Sequence, residues 1–217
     1  MVKRYSYLRD PAAIYSASQT AVEQATDLSQ VPEEIRPIAI RLVHACGMPE
    51  IVKNLVYSAD AARAGKAALQ AGAKVFVDSR MVMEGIIRHR LPRRNTVICT
   101  VNELSVANDA KSRHVTRSSA SVEMWQPYLT DAVVSIGNAP TALYRLLEMI
   151  ADGAPRPALI IGMPVGFVGA AESKEQLIAD AGRIPYITLR GRFGGSALAA
   201  AAVNALAGSL TDTGESV

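Results

Sequence analysis

Short apolar runs that alternate with helical segments constrain the fold of this chain more than any other feature. The runs do not alternate apolar and polar residues, which is typical of strands buried on both faces. Strands that alternate with helices predict right-handed βαβ units. We therefore predict a single α/β domain with an open, mostly parallel sheet, helices on both faces and a helical N-terminal region. The predicted strands are Lys74–Asp78, Thr96–Val101, Asp131–Ile136, Ala158–Ile161 and Pro185–Leu189.

The predicted helices begin at residues with suitable capping chemistry. Asp10 is a good N-cap and Pro11 suits the first helical position, so a helix is predicted from Asp10 to about Leu28. A second helix is predicted to open at Pro32 and to end at Cys46, before a glycine. The remaining helices are predicted over residues 58–71 (with Ser58 as the cap), 79–89, 113–128, 139–151, 173–181 and 196–207.

Length and composition indicate one soluble domain. The chain has 217 residues, of which 49% are apolar and 20% charged, as in ordinary globular proteins. Residues 1–208 are assigned to this domain, and the polar tail 209–217 is expected to be disordered. No segment approaches the roughly 20 apolar residues of a membrane-spanning helix. No secretory signal is visible at the start, so we expect a cytoplasmic protein without a membrane partner.

Charge and motifs exclude several classes of function. A net charge of +3 and few aromatic residues do not suit nucleic-acid binding, whereas clustered positive charge suits an anionic small molecule. Cys46 and Cys99 have no metal-ligand spacing, and carboxylates do not cluster, so no metal site is predicted. The chain lacks a P-loop, a dinucleotide fingerprint and a GxSxG elbow, which disfavours a nucleotide-dependent oxidoreductase or a hydrolase.

Two glycine-rich loops follow predicted strands, at Ile160–Ser173 and Leu189–Ala200. Ligands of open α/β sheets bind beyond the carboxyl ends of the strands, where glycines expose backbone N–H groups. The same glycines are also explained by tight turns and by close packing of helix on strand. On the strand-end argument we select four candidate ligand-binding residues: Asn138, Thr141, Gly162 and Gly166.

His44 lies near the end of a predicted helix, three residues after Arg41, so the two side chains share a face. A histidine can donate or accept a proton near neutral pH and is a candidate acid/base. A histidine at this place can also cap the C-terminal end of the helix, where the dipole favours it. Spacing alone favours the capping interpretation slightly.

Two other histidines lie among basic residues. His89 is flanked by four arginines, which form either a solvated surface or a site that receives carboxylates: Arg88, Arg90, Arg93 and Arg94. Near His114, Arg113 and Arg117 are predicted at i, i+4 in the first turns of a helix, beside Thr116. Guanidinium groups there suit carboxylate binding, and a polar helix start explains them equally well.

Several long motifs give the chain a resemblance to the precorrin-8X methylmutase family, also called precorrin isomerases. The resemblance runs from about Tyr5 to Ala207 and is weakest over Val101–Val115. The combination of GNAPTAL with GMPVGFVGAAESK is specific because both motifs are long and unusual. The matching stretches are YLRDPAAIYSAS, RLVHACGMPE, VICTV, IGNAPTALYRLLEMI, GAPRPALIIGMPVGFVGAAESKEQL and GRFGGSALAAAAVNAL.

The resemblance implies an activity in corrin biosynthesis. Members of the family move a methyl group from C-11 to C-12 of precorrin-8X and give hydrogenobyrinic acid. A variant of the family acts on the cobalt-containing counterpart. The family uses no organic cofactor and is homodimeric, with the site near the subunit contact.

The resemblance also assigns roles to residues. His44 matches the catalytic histidine, which protonates the conjugated tetrapyrrole, and Ser18, Arg41 and Arg117 fall where the family contacts substrate. Thr116, beside Arg117, completes the predicted substrate-binding set. A carrier that binds a corrinoid in the same cleft without converting it is the alternative function.

Overall fold

A computed structural model describes residues 5–208, in which six strands form one sheet. The strand order is β1-β6-β5-β4-β2-β3, and every pairing is parallel except the antiparallel edge pair β1–β6. The predicted mostly parallel sheet is therefore confirmed, and the tail 209–217 lies outside the described residues. The strands are β1 (Leu55–Tyr57), β2 (Val75–Val77), β3 (Val97–Ile98), β4 (Val133–Ile136), β5 (Leu159–Gly162) and β6 (Tyr186–Leu189).

The helices surround this sheet, and none within residues 5–208 is long and apolar enough to cross a membrane. Short 3-10 helices lie at residues 49–54, 88–90 and 126–128. The α-helices of the described chain are α1 (Pro11–Ala25), α2 (Arg36–Cys46), α3 (Ala61–Gln70), α4 (Arg80–Gly85), α5 (Leu104–Arg113), α6 (Arg117–Glu123), α7 (Pro140–Ala151), α8 (Ala170–Asp180) and α9 (Ser196–Gly208).

Two apolar cores cover the two faces of the sheet, as the unbroken apolar strands predict. On one face α2, α3, α4 and α9 pack over the side chains of Val75, Val77 and Ile161. On the other face α6, α7 and α8 pack over Phe76 and its neighbours on the sheet. Phe76 stacks on Trp125 with ring centroids 5.5 Å apart. Because α9 is buried from Leu198 to Ala207, it forms the centre of the first core.

The helix predicted over residues 113–128 is confirmed only for α6 and the 3-10 helix at 126–128, and its predicted start is wrong. Arg113 ends α5 instead of starting a helix, and His114 adopts the left-handed conformation with φ 56°. Thr116 then caps α6, so Arg113 and Arg117 lie on different helices. Helix α5 was not predicted, because the stretch before Thr116 is mostly polar and lacks a clear apolar period.

Smaller differences concern where elements start. The second helix begins at Arg36 rather than Pro32, because residues 32–35 form a turn in which Ile35 N–H donates to the Pro32 carbonyl. Ser58 does not cap α3; its hydroxyl donates to Asp60 and accepts the N–H of Tyr186, which ties the start of α3 to the sheet. Strand β1 was not predicted, since three half-buried residues give little pattern.

Candidate functional site

A hydrogen bond joins α1 to the last turn of α2. Ser18 Oγ lies 3.0 Å from Nδ1 of His44, whose ring is exposed. The end of the helix is closed by Gly47, which adopts the left-handed conformation and donates its N–H to the Val43 carbonyl at 2.7 Å. The side chain of His44 thus hydrogen-bonds to a residue of helix α1 and not to a carbonyl at the end of its own helix. This arrangement favours an oriented imidazole over a helix cap.

The remaining faces of α2 explain why Arg41 and His44 point outward together. Ile38, Leu42 and Val43 are buried against the core, which leaves the opposite side of the helix to Arg41 and His44. The two residues are three apart and therefore neighbours on that side. Helix α1 packs on α2 without burying any residue completely. The predicted residues Ser18, Arg41 and His44 consequently form one group, here called the α2 cluster.

A second group lies at the carboxyl edge of the parallel strands and depends on Asp78. This residue follows β2 directly and is fully buried. Its carboxylate accepts backbone N–H groups from Gly137 (2.9 Å), Asn138 (2.9 Å) and Ala139 (2.7 Å). Burial raises the pKa of Asp78, and the three N–H donors oppose that increase. Asp78 thereby fixes the loop from which α7 starts.

The candidates on α6 and α7 meet near this loop. Thr116 Oγ1 lies 2.7 Å from Thr141 Oγ1, and Thr116 also caps α6 by accepting the N–H of Ser119. Arg117 is the first residue of α6 and is exposed, as is Asn138. These exposed polar groups at one edge can receive the acidic arms of a ligand. Asn138, Thr116, Arg117 and Thr141 are called the strand-end cluster.

The two glycine candidates occupy different environments. Gly162 ends β5 and is buried; a Cβ there would lie 2.6 Å from Leu177 Cδ2 on α8, so close packing accounts for this glycine. Gly166 is half-buried in the following loop with φ 144°, and a Cβ would meet only Ala170, at 3.9 Å. The backbone at Gly166 is therefore the more accessible of the two for a ligand.

Lys174 is a residue that sequence reasoning missed. It lies on α8, is fully buried, and donates from Nζ to the Phe193 carbonyl at 2.5 Å. Burial lowers the pKa of Lys174 to about 8. Gly194, the next residue after Phe193, packs directly on the Met163 carbonyl, where a Cβ would lie at 2.4 Å. Lys174 and this contact hold the two glycine-rich loops together.

The structure brings the predicted residues into two groups and not into one. No hydrogen bond or ion pair of the described chain joins the α2 cluster to the strand-end cluster. Arg113, once expected beside Arg117, forms ion pairs with Glu123 (2.7 Å) and Asp109 (2.8 Å) instead. These contacts neutralise its charge, so Arg113 is not a ligand-binding candidate.

The fold and these groups define an open α/β protein with polar groups at the carboxyl edge of its strands and a hydrogen-bonded histidine at the end of α2. Comparison with known proteins adds the family. A profile of the CbiC family, described as precorrin-8X methylmutase, matches residues 13–209. The precorrin-8X methylmutase of Pseudomonas aeruginosa is 54% identical over 93% of this chain and 97% of its own length.

Two further proteins are similar over most of the chain. A cobalt-precorrin-8 methylmutase of Priestia megaterium is 37% identical over 84% of this chain and 80% of its own length. The crystal structure of precorrin-8X methyl mutase from Thermus thermophilus superimposes with a TM-score of 0.83. It is 37% identical, and the match covers 94% of this chain and all of that one.

The chain belongs to the precorrin-8X methylmutase family. It is accordingly an isomerase, an intramolecular transferase of cobalamin biosynthesis. The resemblance that the sequence motifs indicated is confirmed.

Proposed function

We propose that this enzyme moves the methyl group of precorrin-8X from C-11 to C-12, giving hydrogenobyrinic acid, with His44 as the acid/base. The contact between Ser18 Oγ and His44 Nδ1 carries this proposal. When the ring is protonated on both nitrogens, Nδ1–H donates to the Ser18 hydroxyl, and Nε2–H has no hydrogen-bond partner in the described chain. Nε2 is then placed to protonate a ligand that lies over α2.

The proposed reaction is an isomerisation in which atoms balance without a co-reactant. His44 gives a proton to the conjugated tetrapyrrole, and the methyl group migrates with its bonding electrons across one face of the ring. The proton then returns to His44, so substrate and product have the same composition. Such a reaction requires a positioned proton donor and a ring held in one conformation.

We further propose that basic and polar side chains hold the acetate and propionate arms of the substrate. Arg41 supplies a guanidinium beside His44, and Arg117 supplies one at the strand-end cluster. Thr116, Asn138 and Thr141 add hydrogen-bonding groups there, and the backbone at Gly166 is accessible, whereas Gly162 contributes through packing. Guanidinium groups suit planar carboxylates because both partners can form two parallel hydrogen bonds.

We propose that two copies of the chain complete the site as a homodimer. The absence of any hydrogen bond or ion pair between the α2 cluster and the strand-end cluster of the described chain supports this proposal. Helix α1 also exposes apolar side chains, with Ile14 44% and Tyr15 49% exposed, which suits a covered surface. Mixing a His44→Ala variant with an Arg117→Ala variant tests the proposal, because mixed dimers regain activity only if one site uses both chains.

A cytoplasmic location stays a prediction.

The metal-free substrate is favoured over the cobalt-containing one. The relative named precorrin-8X methylmutase is 54% identical to this chain, against 37% for the relative named cobalt-precorrin-8 methylmutase. Parallel assays with precorrin-8X and cobalt-precorrin-8 test this choice through the ratio of kcat/KM values.

Incubation of the purified protein with precorrin-8X tests the proposed function as a whole. The conversion is followed by absorbance, because the conjugation of the ring changes. Multiple turnovers support the isomerase. A spectral change that stops at one equivalent of ligand, with the substrate recovered unchanged after denaturation, indicates the carrier instead.

A further inference from the structure

Two arginines from different parts of the chain converge at the end of α9. Arg41 projects from α2, and Arg90 from the 3-10 helix at residues 88–90. At Gly208, the last residue of α9, a Cβ would lie 3.8 Å from Arg41 Nη2 and 4.0 Å from Arg90 Nη1. Both guanidinium groups therefore approach one point on the surface, although 49 positions separate the two residues in the sequence.

Neither guanidinium has a partner in the described chain. The ion pairs found there involve other arginines, and neither the Arg41 nor the Arg90 side chain makes a hydrogen bond with a described residue. Both side chains are half-buried, which strengthens their mutual repulsion relative to fully hydrated groups. The carbonyl end of α9 offsets part of that repulsion, since the helix dipole favours positive charge there. An anion bound between the two guanidinium groups would offset the remaining repulsion.

A buried asparagine holds the segment that carries Arg90 in place. Asn204 lies on α9 among apolar neighbours and is 6% exposed. Its Oδ1 accepts the N–H of Ile87 at 2.8 Å, and its Nδ2 donates to the Gly85 carbonyl at 2.8 Å. Both bonds are made to backbone groups just before the 3-10 helix of Arg90. The position of Arg90 beside Arg41 is thus fixed by the core.

We infer that Arg41 and Arg90 together bind one carboxylate arm of the tetrapyrrole, an inference that rests on the proposed function above. Arg41 is one turn from His44 on the same face of α2, so an arm held at the pair leaves the ring over the imidazole. Each planar guanidinium fork matches the two oxygens of a carboxylate, so two such groups favour a planar anion. Arg90 is then a substrate-binding residue and Asn204 a positioning residue.

Binding of hydrogenobyrinic acid, followed by absorbance titration, tests this inference. For Arg90→Met we expect a Kd about tenfold higher than for the wild type, the loss expected for one charge-assisted contact. Arg90→Lys keeps the charge but loses the fork, so its Kd should lie in between. Arg88→Met is the matched control, because it removes the same charge from an exposed side chain in the same 3-10 helix.

Hydrogenobyrinic acid with its carboxyl groups converted to amides distinguishes a contact with a carboxylate from a packing effect of Arg90. It should bind the wild type and Arg90→Met equally, if Arg90 acts on a carboxylate. Equal Kd values of wild type and Arg90→Met for hydrogenobyrinic acid, or an equal loss in Arg88→Met, would overturn the inference. If Arg90→Met lowers the melting temperature but leaves the Kd unchanged, Arg90 stabilises the end of α9 and does not bind the ligand, which also overturns the inference. Failure of the wild type to bind the acid would overturn the proposed function instead.

Discussion

Ser18 and His44 are joined by a hydrogen bond of 3.0 Å between Oγ and Nδ1, across the contact of α1 with α2. The bond fixes the rotation of the imidazole and leaves Nε2 without a hydrogen-bond partner in the described chain. Since α1 buries none of its residues completely, this polar contact is a specific link between α1 and the face of α2 that bears Arg41.

Ser18→Ala removes the link and leaves the fold intact. We expect kcat to fall about tenfold, because a misdirected proton donor loses its alignment with the substrate, while KM changes little. Steady-state kinetics with precorrin-8X measures both constants. Ser16→Ala, on the exposed surface of the same helix, is the control and should behave as the wild type. Equal kcat values for the two variants would show that the hydroxyl does not orient His44.

Asp78→Asn tests the buried carboxylate that fixes the strand-end loop. The amide group of asparagine replaces one of two acceptor oxygens, so at least one of the N–H groups of residues 137–139 loses its partner. Leaving a buried N–H unsatisfied costs about 1–3 kcal/mol of the free energy of unfolding. Denaturant titration measures this loss, with Asp152→Asn at the exposed end of α7 as the control. Unchanged stability of Asp78→Asn would contradict the assigned role.

Lys174 gives the stability of the protein a dependence on pH. Its pKa in the folded protein is about 8, below the ordinary value of 10.5, so the unfolded chain binds more protons between these values. The free energy of unfolding therefore gains a contribution that increases as pH rises from about 8 to about 10.5, because folding no longer buries a charge.

Lys174→Met removes that contribution. The difference in unfolding free energy between wild type and Lys174→Met should shift in favour of the wild type as pH rises from 7.5 to 10, over the window set by the pKa of about 8. Chemical denaturation at several pH values measures it. Lys111→Met, whose ammonium is exposed on α5, should give a constant difference. A constant difference for Lys174→Met too would mean that burial does not affect the titration of Lys174.

Much of the fold could be predicted because the strands are buried on both faces. Val75–Val77 is an unbroken apolar run and Val133–Ile136 is apolar except for the buried Ser135, and such runs are strands in parallel sheets. Strand β1 and helix α5 were missed, because three half-buried residues and a mostly polar segment show no clear period. Local pattern carries no information where packing against distant elements decides the conformation.

The site was predictable only in part. Spacing placed Arg41 and His44 on one face, but only the family motifs selected Ser18, which lies 26 residues before His44. Asp78 ends a predicted strand, yet its partners are backbone groups 59–61 positions later. Buried Lys174 gave no signal, since a lysine on a helix normally faces solvent. Long-range polar contacts of this kind are visible only in the folded chain.

Conversion of precorrin-8X by His44→Ala is the measurement that tests the central claim most directly. The imidazole is exposed, so its loss should leave the melting temperature and the binding of hydrogenobyrinic acid close to those of the wild type. The account predicts that this folded, ligand-binding variant gives no detectable product by absorbance or chromatography. Product formation at the wild-type rate would contradict the assignment of His44 as the acid/base.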